Sequence, residues 1–143
     1  MENPLKINDL GHWKTDLLIE SQALPYGFIY EITNLINNKK YIGKKQCITI
    51  KKLKPLKGKK NKRHRAVETD WKTYTSSSNQ LNEDIKTQGK ENFRFKILKW
   101  CSSKSELAYW EAKIQFENDV LLKDNYYNGI INLRIGKIKC NDL

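Results

Sequence analysis

Tyr30 and Tyr41 stand eleven positions apart, in "GFIYEIT" and "KKYIGKK", and a dense run of cations follows them. Phenol hydroxyls and lysines are groups that orient or hold a phosphate, and a carboxylate further along the chain would complete such a site. The two tyrosine runs are rich in aromatic and β-branched residues and flank the turn-like "NLINNKK", which predicts two antiparallel strands. With an even-numbered loop, the period-two alternation of a strand puts both tyrosines on one face of that hairpin. Strand tyrosines that only pack show the same pattern, so spacing alone allows either role.

The cations are concentrated. From Ile32 to Val67 there are thirteen Lys or Arg and no Asp or Glu, in a 143-residue chain with 27 basic residues, 16 acidic residues and net charge +11. The remainder therefore carries 14 basic against 16 acidic residues, a net of −2, and the excess is a local patch. Its densest part, "KKLKPLKGKKNKRHR" at 51–65, is interrupted by Pro55 and Gly58 and reads as a mobile basic loop. Such a patch suits a polyphosphate. Lys45, Lys52, Lys59, Lys60, Lys62, Arg63, His64 and Arg65 are the candidates to track a nucleic-acid backbone, a contact that adds affinity with little sequence information. A solvated loop that serves solubility is the plain alternative.

Other chemistries are poorly supplied. Three cysteines (Cys47, Cys101, Cys140) without a CxxC pair support neither a disulfide framework nor a zinc knuckle, and they read as free thiols. With His12 and His64 as the only histidines, any metal must sit mainly on carboxylate, and a Ser-His-Asp triad is poorly supplied. A hydrophobic fraction of 38% and four Trp, seven Tyr and four Phe suffice for one core. A mean hydropathy of −0.75 leaves no room for a membrane span. The N-terminal segment does not read as a secretory signal, and cytoplasmic residence is expected.

The elements that position these groups follow from periodicity. An N-terminal arm (1–25), one domain (26–135) and a short tail (136–143) are expected. "SSSNQLNEDIKTQG" predicts a short helix capped by serine and closed at Gly89. The N-terminal amides there, with Ser77 and Ser78, offer a phosphate contact. "NFRFKILKW" alternates as a third strand. "SKSELAYWEAKIQFENDVLL" predicts the longest helix, begun at Ser103 or Ser105, with Leu107, Trp110, Ile114 and Leu121 in one apolar stripe. Glu111 and Glu117 lie at opposite edges of that stripe, and periodicity does not choose between them.

In this order, "FIY", "YIG", the serine-led helix, "ILKWC", a helix bearing one glutamate and a late asparagine resemble the GIY-YIG endonuclease superfamily, notably its small bacteriophage-type members. The likeness runs from Gly27 to Asn132. It implies a single α+β domain, a three-stranded antiparallel sheet flanked by helices, with the basic loop as an insertion. It also implies a metal-dependent DNA endonuclease using Mg²⁺ or Mn²⁺, without a small-molecule cofactor, acting as a monomer or a DNA-induced dimer. Free-standing homing, or cleavage of host or competitor DNA, is the corresponding role. By position, Tyr30 and Tyr41 would be the motif tyrosines and Glu111 the metal ligand. Lys44 matches a lysine of repair-type members, and Asn128 the late asparagine. Two departures stand out: Phe28 occupies the first motif's glycine position, and Lys51 stands where the family usually has arginine, so Lys51, Arg63 or Arg65 would supply that cation.

Phosphodiester hydrolysis needs an activated water, charge stabilisation on phosphorus and help for the leaving oxygen. One carboxylate can hold a hydrated Mg²⁺. A tyrosine becomes a useful base when a cation beside it favours the phenolate, a service that Lys44 or the metal's water network would give Tyr41. Tyr30 would orient the water or the phosphate. A catalytically silent nucleic-acid-binding protein on the same scaffold, or action on RNA, are the rival readings.

Overall fold

The computed structural model describes residues 5–17 and 23–138. In chain order the elements are β1 (Gly27–Asn34), β2 (Lys40–Gln46), β3 (Ile48–Leu53), β4 (Arg63–Glu68), α1 (Asn79–Gln88), a 3-10 turn (Lys90–Asn92), β5 (Phe93–Cys101) and α2 (Lys104–Glu117). Strands β2, β1 and β5 form an antiparallel sheet in that spatial order, and β3 and β4 form a separate two-stranded sheet. The fold is thus α+β, with the expected three-stranded sheet between helices.

β1 is the central strand and is buried on both faces, with Glu31 alone half-buried. Phe28, Tyr30 and Ile32 face one way, into a core with Trp13, Trp71, Leu81 of α1, Phe93, Phe95 and Ile97. Ile29 faces the other way, with Ile42, Cys101, Leu107 of α2 and Val120. The β1–β5 register shifts between Ile29 and Tyr30, pairing Tyr30 with Ile97 but Ile29 with Lys99. That irregularity turns Trp100 onto the Phe28 face and Cys101 onto the α2 face. Phe28, in the position of a family glycine, is absorbed by this aromatic box: its ring lies 5.0 Å from Trp13, 5.8 Å from Trp71 and 5.6 Å from Trp100.

The helices begin where the serines predict. Ser78 caps α1 by accepting from the Leu81 N–H, and Gly89, at φ +94°, closes it. Ser103 caps α2 through the Glu106 N–H. The apolar stripe is shorter than expected: α2 ends at Glu117, Leu121 lies beyond it at 46% exposure, and Val120 fills the core instead. The left-handed Asp119, at φ +53°, makes the turn that folds Val120 back.

The stretch expected as a mobile loop at 51–65 begins and ends in strand. Lys51–Leu53 and Arg63–Arg65 belong to β3 and β4, and only the tip between them is irregular. Pro55 and Gly58 sit in that tip, so they shape a hairpin end and do not break the strands.

The arm packs on the domain. Trp13 is buried and its Nε1–H donates to the Trp71 carbonyl at 2.6 Å, while Lys14 pairs with the outer edge of β5. His12 stacks on Phe95 at 4.0 Å, its Nε2 lies 2.9 Å from the Tyr74 carbonyl, and burial pushes its pKa down to about 4. Cys47 and Cys101 are free buried thiols, pushed up to about 12 by burial; Cys140 lies outside the described residues. Among the described residues no helix is long and apolar enough to cross a membrane.

Candidate active site

The candidate site is built along the free edge of β2. At that edge the backbone groups of Lys40, Ile42 and Lys44 point away from β1 and need partners. Lys40 donates its N–H to the Asn125 carbonyl at 2.9 Å and accepts from the Tyr127 N–H at 2.7 Å. The Ile42 N–H donates to Asn128 Oδ1 at 3.1 Å, and the Ile42 carbonyl accepts from Asn128 Nδ2 and Gln115 Nε2, each at 2.8 Å. Beside Lys44 lies Glu111 of α2.

Glu111 Oε1 lies 3.5 Å from Lys44 Nζ, and the glutamate side chain is 19% exposed against 45% for Lys44. Burial raises the Glu111 pKa, and Lys44 offsets that only in part. Glu117, the rival from helical periodicity, points into water and pairs with Lys113 at 3.0 Å. Among the described residues no group of three or more His, Cys, Asp and Glu side chains gathers as a metal-binding cluster, so Glu111 stands as a single carboxylate.

Tyr30 pairs with Gly43 and Ile32 with Tyr41, which places both tyrosines on one face, as the even loop length predicts. Their ring centroids are 6.1 Å apart. Gly43 makes this possible: a Cβ there would lie 2.7 Å from the Tyr30 hydroxyl and 2.8 Å from Tyr41 Cε2. The two phenols differ in setting. Tyr30 is 1% exposed, and burial first, with Tyr41, Tyr74 and Glu111 nearby, holds its pKa well above the ordinary value. It keeps its proton, with the Tyr74 ring packed edge-on 6.2 Å away. Tyr41 lies closer to the surface, its hydroxyl sharing a 3.2 Å hydrogen bond with Ser77.

Tyr74 joins this hydroxyl group and was not singled out from sequence; "DWKTYTSSS" placed it beside the capping serines, which is the signal that would have found it. Lys45, expected on the nucleic-acid backbone, is already engaged: its Nζ lies 2.8 Å from Asp70 and 4.1 Å from the Tyr74 ring centre, bracing the 70–74 turn. Ser78 is spent on the α1 cap, while Ser77 is exposed beside Tyr41. Asn128 is buried with both ends of its amide used on Ile42, so the structure gives it a positioning contact.

Lys51, Lys52, Lys59, Lys60, Lys62, Arg63, His64 and Arg65 are all exposed, on the β3–β4 hairpin and its tip. Lys51 pairs with Arg65 across that hairpin, so two of the three candidates for the family's arginine stand side by side.

Comparison with known proteins agrees with this geometry. Residues 13–131 match the family described as "Putative endonuclease segE, GIY-YIG domain". The chain is 31% identical over 103 residues to the protein named "Putative endonuclease segE" of Enterobacteria phage T4. That alignment covers 72% of this chain and 40% of the phage protein, so the chain spans well under half the length of this relative. No solved structure matches. With the motif tyrosines on one face, Gly43 between them and Glu111 seated at the edge of β2, the chain belongs to the GIY-YIG endonuclease family, in its SegE-like branch.

Proposed function

We propose that this domain is a metal-dependent endonuclease that hydrolyses phosphodiester bonds in DNA. The observation that carries the reading is that β2 bears the Tyr30–Gly43–Tyr41 arrangement on one face and the Lys44–Glu111 pair on the other, with Glu111 near enough to act on the charge of Tyr30. Glu111 fits a Mg²⁺- or Mn²⁺-type ion: it is an oxygen donor largely withdrawn from water, with its charge only partly offset. Hard ions of this kind bind through one or two carboxylates and complete their shell with waters and substrate phosphate. When bound, such an ion supplies Lewis-acid polarisation of the phosphate and stabilisation of the leaving oxygen.

The chain's own groups do the rest. Lys44, beside Glu111 and 45% exposed, would contact a phosphate oxygen. In its phenolate form Tyr41, at the surface end of the pair, accepts the proton of the attacking water as the water's oxygen bonds phosphorus and the P–O bond to the leaving oxygen breaks. Tyr30 holds its proton and backs the ring of Tyr41, whose hydroxyl meets Ser77. Asn128 and Gln115 hold the edge strand straight. Lys44 is the cation beside Glu111, and the exposed β3–β4 hairpin adds general positive charge toward the substrate.

An end-labelled duplex incubated with Mg²⁺ or Mn²⁺, and in parallel with EDTA, tests this. Cleavage only with the metal is expected. Binding without cleavage, on AT-rich phage-type DNA as well as on the labelled duplex, would favour a silent DNA-binding scaffold.

A further inference from the structure

The hydrolytic chemistry uses the β3–β4 hairpin only as a source of positive charge, but its construction is more specific than that. The strands pair in unbroken register from Ile48↔Glu68 to Leu53↔Arg63. Alternation sorts its side chains: Thr49, Lys51 and Leu53 share a face with Arg63, Arg65 and Val67, and the opposite face carries Ile50, Lys52, His64 and Ala66. Both arginines are on the first face. Nine Lys or Arg and no acidic residue lie between Lys51 and Arg65. Among the described residues none of these cations takes part in a salt bridge. Arg63 Nε donates to the Lys54 carbonyl at 3.3 Å, which orients the guanidinium and leaves its terminal nitrogens available.

The ribbon is fixed at its root and uncovered beyond it. Cys47 is buried, its N–H donates to the Tyr26 carbonyl at 2.6 Å, and its own carbonyl accepts from the Thr69 N–H at 2.9 Å. The Thr69 hydroxyl donates to the Gln46 carbonyl at 2.6 Å. Gln46 ends β2, the strand that seats Glu111, so the direction of the ribbon is set relative to the candidate site. Outward from this root, Ile50 is 57% exposed, as no partner element covers it.

Resting on the reading of duplex DNA as substrate, we propose that this hairpin is a groove-reading arm, a two-stranded ribbon that enters the DNA major groove with Lys51, Arg63 and Arg65 toward the base edges. The dimensions agree: paired strands lie ~4.8 Å apart, and the major groove, ~12 Å wide, admits a two-stranded ribbon where the ~6 Å minor groove does not. Six-residue strands rising ~3.3 Å per residue exceed the ~8.5 Å groove depth, so the root stays outside. Arginine's planar fork matches the O6 and N7 acceptors of guanine, which a lysine does not reproduce.

The test is methylation interference with Glu111→Ala protein, which binds without cutting. Dimethyl sulfate marks guanine N7 in the major groove and adenine N3 in the minor groove of one duplex pool. Bound DNA is expected to be depleted in N7-methylguanine and not in N3-methyladenine. Adding Arg63→Lys and Arg65→Lys should abolish the guanine depletion while leaving the salt dependence of binding unchanged. Replacing Lys51, Arg63 and Arg65 by Ser should weaken duplex binding about tenfold or more, with thermal melting verifying that the fold is intact. Interference at adenine alone, no interference, unchanged affinity of the triple variant, or equal binding of single-stranded DNA or duplex RNA would each overturn the proposal. Binding is read independently of cleavage. Interference with a wild-type protein that cuts nothing would sink the nuclease reading and leave the arm, and cleavage without interference would do the reverse.

Discussion

At Gly43 the space opposite Tyr30 is closed to any side chain, since a Cβ would come within 2.7 Å of the Tyr30 hydroxyl. This strand glycine is needed for room between two phenols, and its φ is ordinary. Gly43→Ala should displace Tyr41 relative to Glu111 and reduce cleavage about 100-fold with a folded core, as measured by single-turnover rates beside a melting curve. Glu111 carries a second residue-scale consequence. A carboxyl whose folded pKa lies above its unfolded one weakens the folded state where it is ionised. That cost is absent below the ordinary carboxylate range and fully present above the raised folded value. Glu111→Gln should therefore melt higher than wild type at neutral pH, with the advantage vanishing as pH falls below ~4, while losing cleavage. A lower melting temperature for Glu111→Gln at neutral pH would mean that the Lys44 contact outweighs burial. The tyrosine pair was legible in the sequence through a short motif, and Glu111 only through the family resemblance, since helical periodicity left Glu117 equally open. The unequal burial of the two phenols and the inclusion of Tyr74 were not, because they depend on Trp13 and the 70–74 turn closing over Tyr30 from distant parts of the chain.

Among the elements, the edge of β2 is where sequence reasoning reached least far. Helix and strand positions followed from capping serines and from alternation, but nothing local says that Asn128 and Gln115 will satisfy the backbone of Ile42, 86 and 73 residues earlier in the chain. Asn128→Ala leaves the Ile42 N–H without its partner, while the carbonyl keeps Gln115. Urea unfolding should then show a loss of about 1–3 kcal/mol. If positioning is its role, cleavage well below the melting temperature should fall less than tenfold; a far larger loss at intact stability would assign Asn128 to the chemistry. The basic stretch teaches the complementary point. Pro55 and Gly58 signal a turn correctly, yet the β-branched and paired residues on either side extend the strands up to it, so an expected loop is a hairpin with two unlike faces.

Across the whole molecule, both edges of the three-stranded sheet are partly covered, β2 by Asn125–Asn128 as far as Ile42 and β5 by Lys14 of the arm. The arm thereby seals the aromatic core against which Tyr30 rests, and the following segment of α2 seals the opposite face. What is left uncovered is the Glu111–Lys44 edge and the cationic ribbon, which rises from the end of the same strand. The most direct measurement is relaxation of supercoiled plasmid by wild type, Glu111→Ala and Tyr41→Phe, each with Mg²⁺ or Mn²⁺ and with EDTA. Nicking by wild type that requires the metal and is lost in both variants is the predicted result. Undiminished nicking by either variant would contradict the site described here.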